Sequence, residues 1–364
     1  MNKRFLIAAG GTGGHFYPGF SVGRLLNREG CSVLFVVRKG DPAIHVLEEA
    51  KLKFVEVDFC GFPRSFNPLR QLRFGWKLLN ALRQTGKIIS GFKPDVVLGT
   101  GGYMTFPLVL SAHFKGVKTA VHDSNTKIGL ANKICSYFVD LFLLGLPVEE
   151  NIRRARLVGT PIRKEFAEPV DRIRVLKHMG LNPSSTTVLL FGGSQGAKAL
   201  NLALVGAVKK LTAENENLQF IHISGERWYQ QLLNRYRNTP RVVVLAYANE
   251  IYDLIHACDL VVCRSGAGTL AELVYCRKPA LLVPLPTAAA NHQFYNARLL
   301  QNAGCAALLE ETPQLEKELY ERMDRMLNAA DNCILSLMSE NYSKLNLPDP
   351  MTASQRVARM LKEL

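Results

Sequence analysis

The stretch Phe5-Leu6-Ile7-Ala8-Ala9-Gly10-Gly11-Thr12-Gly13-Gly14-His15 decides the fold. Five apolar residues run into four glycines and a threonine. A short apolar run closed by glycine reads as a buried strand that leaves its sheet through a tight turn. The figure recurs at Val96-Val97-Leu98-Gly99-Thr100-Gly101-Gly102-Tyr103 and at Val188-Leu189-Leu190-Phe191-Gly192-Gly193-Ser194-Gln195-Gly196-Ala197. Strand, glycine turn and helix form the repeating step of a parallel sheet covered on both faces.

Outward from these loops the same alternation continues. In the first half, strands are predicted over residues 5–9, 32–37, 54–58, 96–99, 119–122 and 141–144, with helices over 19–29, 69–89 and 129–138. In the second half, strands are predicted over 187–191, 219–224, 242–245, 260–263, 280–284 and 306–308. With 364 residues the chain has room for two domains. The fold class is α/β: two doubly wound parallel-sheet domains facing each other. Gly159 and Pro161 interrupt any helix near residues 158–163, which places the domain boundary there.

Composition narrows the function. Hydrophobic residues make up 48% and charged residues 21%, which excludes a disordered chain. The net charge is +14, and residues 1–160 carry 22 basic against 11 acidic side chains. An anionic partner is expected of that half. Residues 59–94 hold no acid at all. There Arg70, Arg73 and Lys77 alternate with Phe74 and Trp76, the mixture that binds an anionic membrane surface. The same mixture also describes an amphipathic core helix or an RNA-binding face. No cysteine lies in a C-x-x-C pair, so the eight cysteines are expected to be reduced thiols without a zinc site. No apolar run reaches a membrane-spanning length. The five apolar residues near the start are too few for a signal-peptide core, which takes about 7–15.

Glycine admits a ligand close to backbone N–H groups, and the following helix offers its positive end, so each loop suits a phosphate. Taken singly, such a loop is as well explained as a tight turn. The dinucleotide fingerprint fails: from Gly11 the third glycine position holds Phe16, and Arg38-Lys39 stands where an acid would bind the ribose. No nucleotide-triphosphate lysine loop occurs. Glu272, after the turn Ser265-Gly266-Ala267-Gly268, is placed to accept two hydrogen bonds from a ribose. Asn291-His292-Gln293 follows another strand end, either as a ligand contact or as a helix cap by Asn291.

These segments, together with His122-Asp123-Ser124-Asn125 and Gly159-Thr160-Pro161-Ile162-Arg163, resemble in order and spacing the MurG family of bacterial glycosyltransferases, in family 28. The resemblance implies a GT-B fold with a central cleft. It implies an acceptor and membrane-associated domain over 1–162, a donor domain over 163–342, and a terminal helix over 343–364 that packs back on the first. The implied reaction moves N-acetylglucosamine from UDP-GlcNAc to lipid I, making lipid II with inversion. The implied location is peripheral, on the cytoplasmic face of the membrane. No cofactor, metal or nucleic acid is implied, and no D-x-D pair occurs. Other cell-wall synthesis proteins are further partners in that reading.

Matched residue by residue, Thr12, Gly13, Gly14 and Asn125 face the donor sugar, and Arg163 and Ser194 its phosphates. Ala248 and Ile251 border the uracil, beside the turn Ala267, Gly268, Thr269, Leu270 and Ala271. Glu272 holds the ribose, and His292 and Gln293 the sugar hydroxyls. Gly10, Gly11, Gly101, Gly102 and Tyr103 form the acceptor loops. His15 is the candidate base, its competing role being to orient the acceptor diphosphate; His122 and Asp123 are weaker candidates. Asp123 stands where the family often has glutamate, and His292 where it often has glutamine.

Overall fold

The computed structural model describes residues 3–11, 13–59, 61, 67–193, 196–328 and 333–364. The chain divides into two compact units, one of Met1–Arg163 with Pro348–Leu364 and one of Lys164–Leu347. Arg163 thus closes the first unit instead of opening the second, and the return to the first unit comes at Pro348, five residues later than the sequence suggests.

The first unit carries β1 (Arg4–Ala8), β2 (Ser32–Arg38), β3 (Phe54–Val57), β4 (Val96–Gly99), β5 (Lys118–Asp123), β6 (Leu141–Leu144) and β7 (Ala155–Leu157). They form one parallel sheet in the order β3-β2-β1-β4-β5-β6-β7. Strand β7 has no signature in the sequence: it is three residues long, lies at the edge and carries Arg156. Both faces of β1 are buried. Phe5 and Ile7 join one core cluster with Phe20, Leu26 and Phe35, while Leu6 and Ala8 join another with Leu108 and Phe142. That double burial is why the strand reads as an unbroken apolar run.

The second unit repeats the plan with β8 (Thr186–Phe191), β9 (Leu218–Ile223), β10 (Val242–Leu245), β11 (Leu260–Cys263), β12 (Ala280–Leu282) and β13 (Ala306–Leu308). The order is β10-β9-β8-β11-β12-β13, again parallel. In each sheet the strand order reverses at its centre, between β1 and β4 and between β8 and β11. A crevice opens at the carboxyl ends there. Ala8 pairs with Gly99 and Phe191 with Cys263, so the four glycine-containing turns leave their sheets side by side in pairs.

The helices differ from expectation in instructive ways. The first spans Gly13–Arg28, six residues longer at its start than the periodicity suggests, with Pro18 inside it. Glycine and proline near a start hide a helix from pattern reading. The basic segment forms the helix Pro68–Phe92, with Asn67 capping it through Leu69 N at 3.0 Å and proline at its first position. Phe74 faces inward, 5.9 Å from the ring of Phe59 and against the core, so it is no part of an exposed patch. The C-terminal helix Ala353–Glu363 packs on Gly13–Arg28 through Val357, Ala358 and Leu361, and Lys362 pairs with Glu29. Arg356 donates from Nε to Val158 O at 2.9 Å and from Nη2 to Asp349 O, tying together the segments where the chain leaves and re-enters this unit.

Candidate active site

In the first unit the two glycine turns enclose His15. It lies in the first turn of Gly13–Arg28. Thr100 Oγ1 donates to His15 O at 2.7 Å and to Ala8 O at 3.1 Å. The imidazole rests on the second turn: a Cβ at Gly101 would stand 2.5 Å from His15 Nδ1, and Gly101 is at φ +100°. Gly102 approaches Gly10 O so closely that a Cβ would stand 3.3 Å from it. Only glycine fits at these contacts. Tyr103, half exposed, lays its ring on the backbone of Gly61.

The glycine N–H groups are less open than the sequence suggests. Gly101 N donates to Thr105 Oγ1 at 3.0 Å, and Thr105 Oγ1 donates to Gly101 O at 2.8 Å. Gly11 N donates to Asp41 Oδ2 at 2.7 Å. These two donors are satisfied within the fold, which corrects the reading of Gly11 and Gly101 as anion donors. Neither Asp41 nor Thr105 has a sequence signal; Asp41 reaches Gly11 across the sheet, whereas Thr105 closes the turn locally, four residues beyond Gly101. Thr12 lies outside the described residues.

His122 and Asp123, at the end of β5, are structural. His122 is 1% exposed, and its Nε2 donates to Gly159 O at 3.0 Å. Burial is the main cause that holds its pKa below the ordinary histidine value. The Gly159 bond and Asp123 work against burial, and nearby His15 works with it. Asp123 accepts from Asn125 N at 3.0 Å and Asn125 Nδ2 at 3.3 Å on one oxygen, and from Gly129 N at 3.0 Å and Asn132 Nδ2 at 2.9 Å on the other. Its carboxylate therefore folds the loop that presents Asn125, with both oxygens engaged within the fold. Arg163 sets its guanidinium 5.7 Å from the ring centre of Tyr17, two residues beyond His15.

The second unit presents helix starts. The helix Lys198–Glu214 follows the third glycine loop, and its first residue is preceded by Ala197, which offers no side-chain cap. The helix Ala267–Cys276 is preceded by Gly266, also without a side-chain cap. The first N–H groups of an α-helix have no partner within it, so both starts suit an anion. Gly196 is at φ +70°, and a Cβ there would collide with Ser224 O, which accepts from Asn201 Nδ2 at 2.8 Å. Asn201 Oδ1 lies 3.3 Å from His222 Nε2, and His222 Nδ1 lies 3.0 Å from the Tyr236 hydroxyl. Burial pushes His222 down to about 3 and the Tyr236 phenol up. Ser194 lies outside the described residues.

Ala248 and Ile251 both stand at the carboxyl end of β10, Ile251 opening the helix Ile251–Ala257. Glu272 is the sixth residue of its helix, beyond the first turn where the helix dipole acts, so the dipole does not explain it. Leu270 and Ala271 are buried, and Leu270 N donates to Gly266 O at 3.0 Å. Their side chains brace the turn; Ala267, Gly268 and Thr269 are the residues whose N–H groups begin the helix. Ser265 Oγ donates to Gln293 O at 2.7 Å, Asn296 Nδ2 to Ser265 O at 3.2 Å, and Leu285 N to Gln293 Oε1 at 3.0 Å. These bonds join the segment 291–293 to the Gly266 turn. Asn291 sits at φ +52° and does not cap through its side chain. His292 is bonded through Nδ1 to Ala289 O at 2.8 Å. Buried Arg264 holds Val283 O at 3.1 Å, Pro284 O at 2.9 Å and the Glu311 carboxylate, fixing the ends of β11 and β12.

Among the described residues the cysteines are all free thiols, and burial pushes Cys135 up to about 12. No helix among them is long and apolar enough to cross a membrane.

Two parallel-sheet α/β domains, each with glycine turns at its switch point, are the architecture of the GT-B fold, and the sequence matches make the chain a glycosyltransferase of that type. Residues 5–143 match the glycosyltransferase family 28 N-terminal domain and residues 187–349 the family 28 C-terminal domain. The chain is 50% identical, over the full length of both proteins, to the UDP-N-acetylglucosamine–N-acetylmuramyl-(pentapeptide) pyrophosphoryl-undecaprenol N-acetylglucosamine transferase of Elusimicrobium minutum. The crystal structure of Acinetobacter baumannii MurG superposes with a TM-score of 0.78 at 25% identity, covering all of both chains. A UDP-N-acetylglucosamine 2-epimerase shares the fold alone, with a TM-score of 0.63 at 14% identity over 99% of this chain and 96% of its own. The chain belongs to glycosyltransferase family 28 and, within it, to the MurG transferases.

Proposed function

We propose that this enzyme moves N-acetylglucosamine from UDP-GlcNAc to the MurNAc 4-hydroxyl of lipid I, releasing UDP and lipid II. The full-length 50% identity to a transferase named for that reaction carries the proposal. The transfer is a single displacement. The acceptor oxygen attacks the anomeric carbon as its bond to the UDP oxygen breaks, and the configuration inverts. His15 takes the hydroxyl proton. The helix starts at Lys198 and Ala267, with Arg163, stabilise the charge that develops on the departing diphosphate. Glu272 accepts from the ribose hydroxyls, and Gln293, held by Leu285 N, places its amide toward the sugar. UDP-GlcNAc labelled in the sugar, incubated with a short-chain lipid I analogue, tests this. The label is expected in the lipid; an epimerised nucleotide sugar with unlabelled lipid would replace transfer by epimerisation.

The enzyme works on the cytoplasmic face of the membrane, and the helix Pro68–Phe92 supplies the contact. Leu69, Leu72, Trp76 and Leu79 recur at helical spacing and are 74%, 65%, 65% and 53% exposed. Arg70, Arg73 and Lys77 flank them. Each cation near an anionic surface contributes about 1 kcal/mol. Reversing these three charges should abolish binding to anionic liposomes. Equal binding of the parent chain to neutral and anionic liposomes would remove the electrostatic part.

A further inference from the structure

Asp41 stands outside every motif, yet it is 3% exposed and grips the first glycine turn. Oδ2 accepts from Gly11 N at 2.7 Å, and Oδ1 accepts from Ala43 N at 3.0 Å, at the start of the helix Ala43–Glu49. Gly10 is so close that a Cβ there would stand 3.0 Å from Oδ2. Gly11 is at φ +90° and has no side chain to hold it in place. The turn is therefore fixed from two sides. Asp41 holds its entry from the β2 side. Thr100 holds His15 O from the β4 side at 2.7 Å.

A carboxylate this buried is stable only where N–H donors replace water. It also occupies the donor that an acceptor diphosphate would otherwise take. We infer that Asp41 is a positioning residue for the transfer: a resident anion that holds the first glycine turn, and through it His15, in the reactive geometry. The assignment rests on the reaction proposed above. It assigns Gly11 N–H to the fold and not to the substrate.

The test compares Asp41→Asn and Asp41→Ala with the parent enzyme, using UDP-GlcNAc and a short-chain lipid I analogue. Asparagine keeps the size but can serve only one of the two N–H groups. A displacement of about 1 Å at a catalytic group costs about 100-fold, so kcat should fall between roughly tenfold and 100-fold in both variants. The KM for UDP-GlcNAc should stay within twofold, because the residues proposed to hold its uracil, ribose and sugar hydroxyls, Ile251, Glu272 and Gln293 among them, lie in the other unit. Formate, entering the space left in Asp41→Ala, should restore kcat several-fold, and should not restore His15→Ala. If Asp41→Ala does not fold, Asp41→Asn gives the same kcat and KM comparison. Unchanged kcat in the folded variants would overturn the assignment. So would a lower KM for lipid I at constant kcat, which would make Gly11 N–H an open substrate donor. So would a donor KM that rises in step with the loss of kcat, which would mean general loosening. An active parent enzyme with indifferent variants overturns only this assignment, whereas an inactive parent overturns the reaction itself.

Discussion

The two units use one sheet plan and the same glycine-rich turns for different ends. In the first, glycine lets the two turns and an imidazole pack against one another, and the N–H groups of Gly11 and Gly101 are satisfied by Asp41 and Thr105. In the second, the helices after the turns begin at Ala197 and Gly266 without side-chain caps. In the proposed mechanism the first arrangement locates a base and the second receives a negative charge. A glycine-rich turn is thus not one kind of site; the partners that reach its N–H groups decide which it becomes.

The sharpest way to break this division is His15→Ala. Loss of a general base costs about 10²–10⁴ in rate, so kcat should fall by that factor while UDP-GlcNAc affinity, read by titration calorimetry, stays within twofold. A large loss of donor affinity would erase the distinction between the units. A matched pair of glycine substitutions sharpens it further. Gly101→Ala should lower kcat with donor KM retained, since the added methyl meets His15 Nδ1. Gly196→Ala should raise donor KM with less effect on kcat, since it meets Ser224. Each places a side chain in a left-handed conformation that costs about 1–3 kcal/mol, so effects of roughly tenfold to 100-fold are expected. The same kinetic signature in both would contradict the account.

Acidification compares the units through their buried histidines. His122 and His222 have folded-state pKa values below the unfolded value, so the unfolded chain binds more protons in the interval between. Their contribution is complete above pH 6.5 and is lost as the pH falls below it. With His222 held at about 3, linkage gives a loss of about 2 kcal/mol between pH 7 and pH 5 from that residue alone. Urea unfolding followed at both pH values checks this, and His222→Gln should flatten the second unit's response. The smallest effect is expected for Glu272→Gln. Replacing a charged acceptor by a neutral one costs about 1.5 kcal/mol, so donor KM should rise about tenfold with lipid I KM unchanged.

Much of the fold is legible in the amino-acid order because both sheet faces are buried. Strands such as β1 and β8 then read as plain apolar runs between glycine turns. Strand β7 is not legible, being short, polar and at an edge. The start of the helix at Gly13 is hidden by the residues that build the turn. For the site, the glycine turns, His15 and Glu272 stand out, because chemistry needs those residue types at strand ends. What does not stand out is the state of each donor. Thr105 and Asn132 are close in the chain to Gly101 and Asp123 but carry no pattern that marks them as partners, and Asp41 reaches Gly11 only because β1 and β2 are paired. Leu270, Ala271 and Phe74 show the converse: each belongs to a segment of the right character, but its side chain faces the core.

The central proposal is that His15 takes the proton of a lipid-borne alcohol as that alcohol displaces UDP from UDP-GlcNAc. The most direct test is one incubation of the purified full chain with sugar-labelled UDP-GlcNAc and a short-chain lipid I analogue, followed by analysis of the linkage, beside the same incubation with His15→Ala. The expected result is a β-linked disaccharide lipid from the parent chain and almost none from the variant. Label left on the nucleotide, or equal product from both proteins, would contradict it.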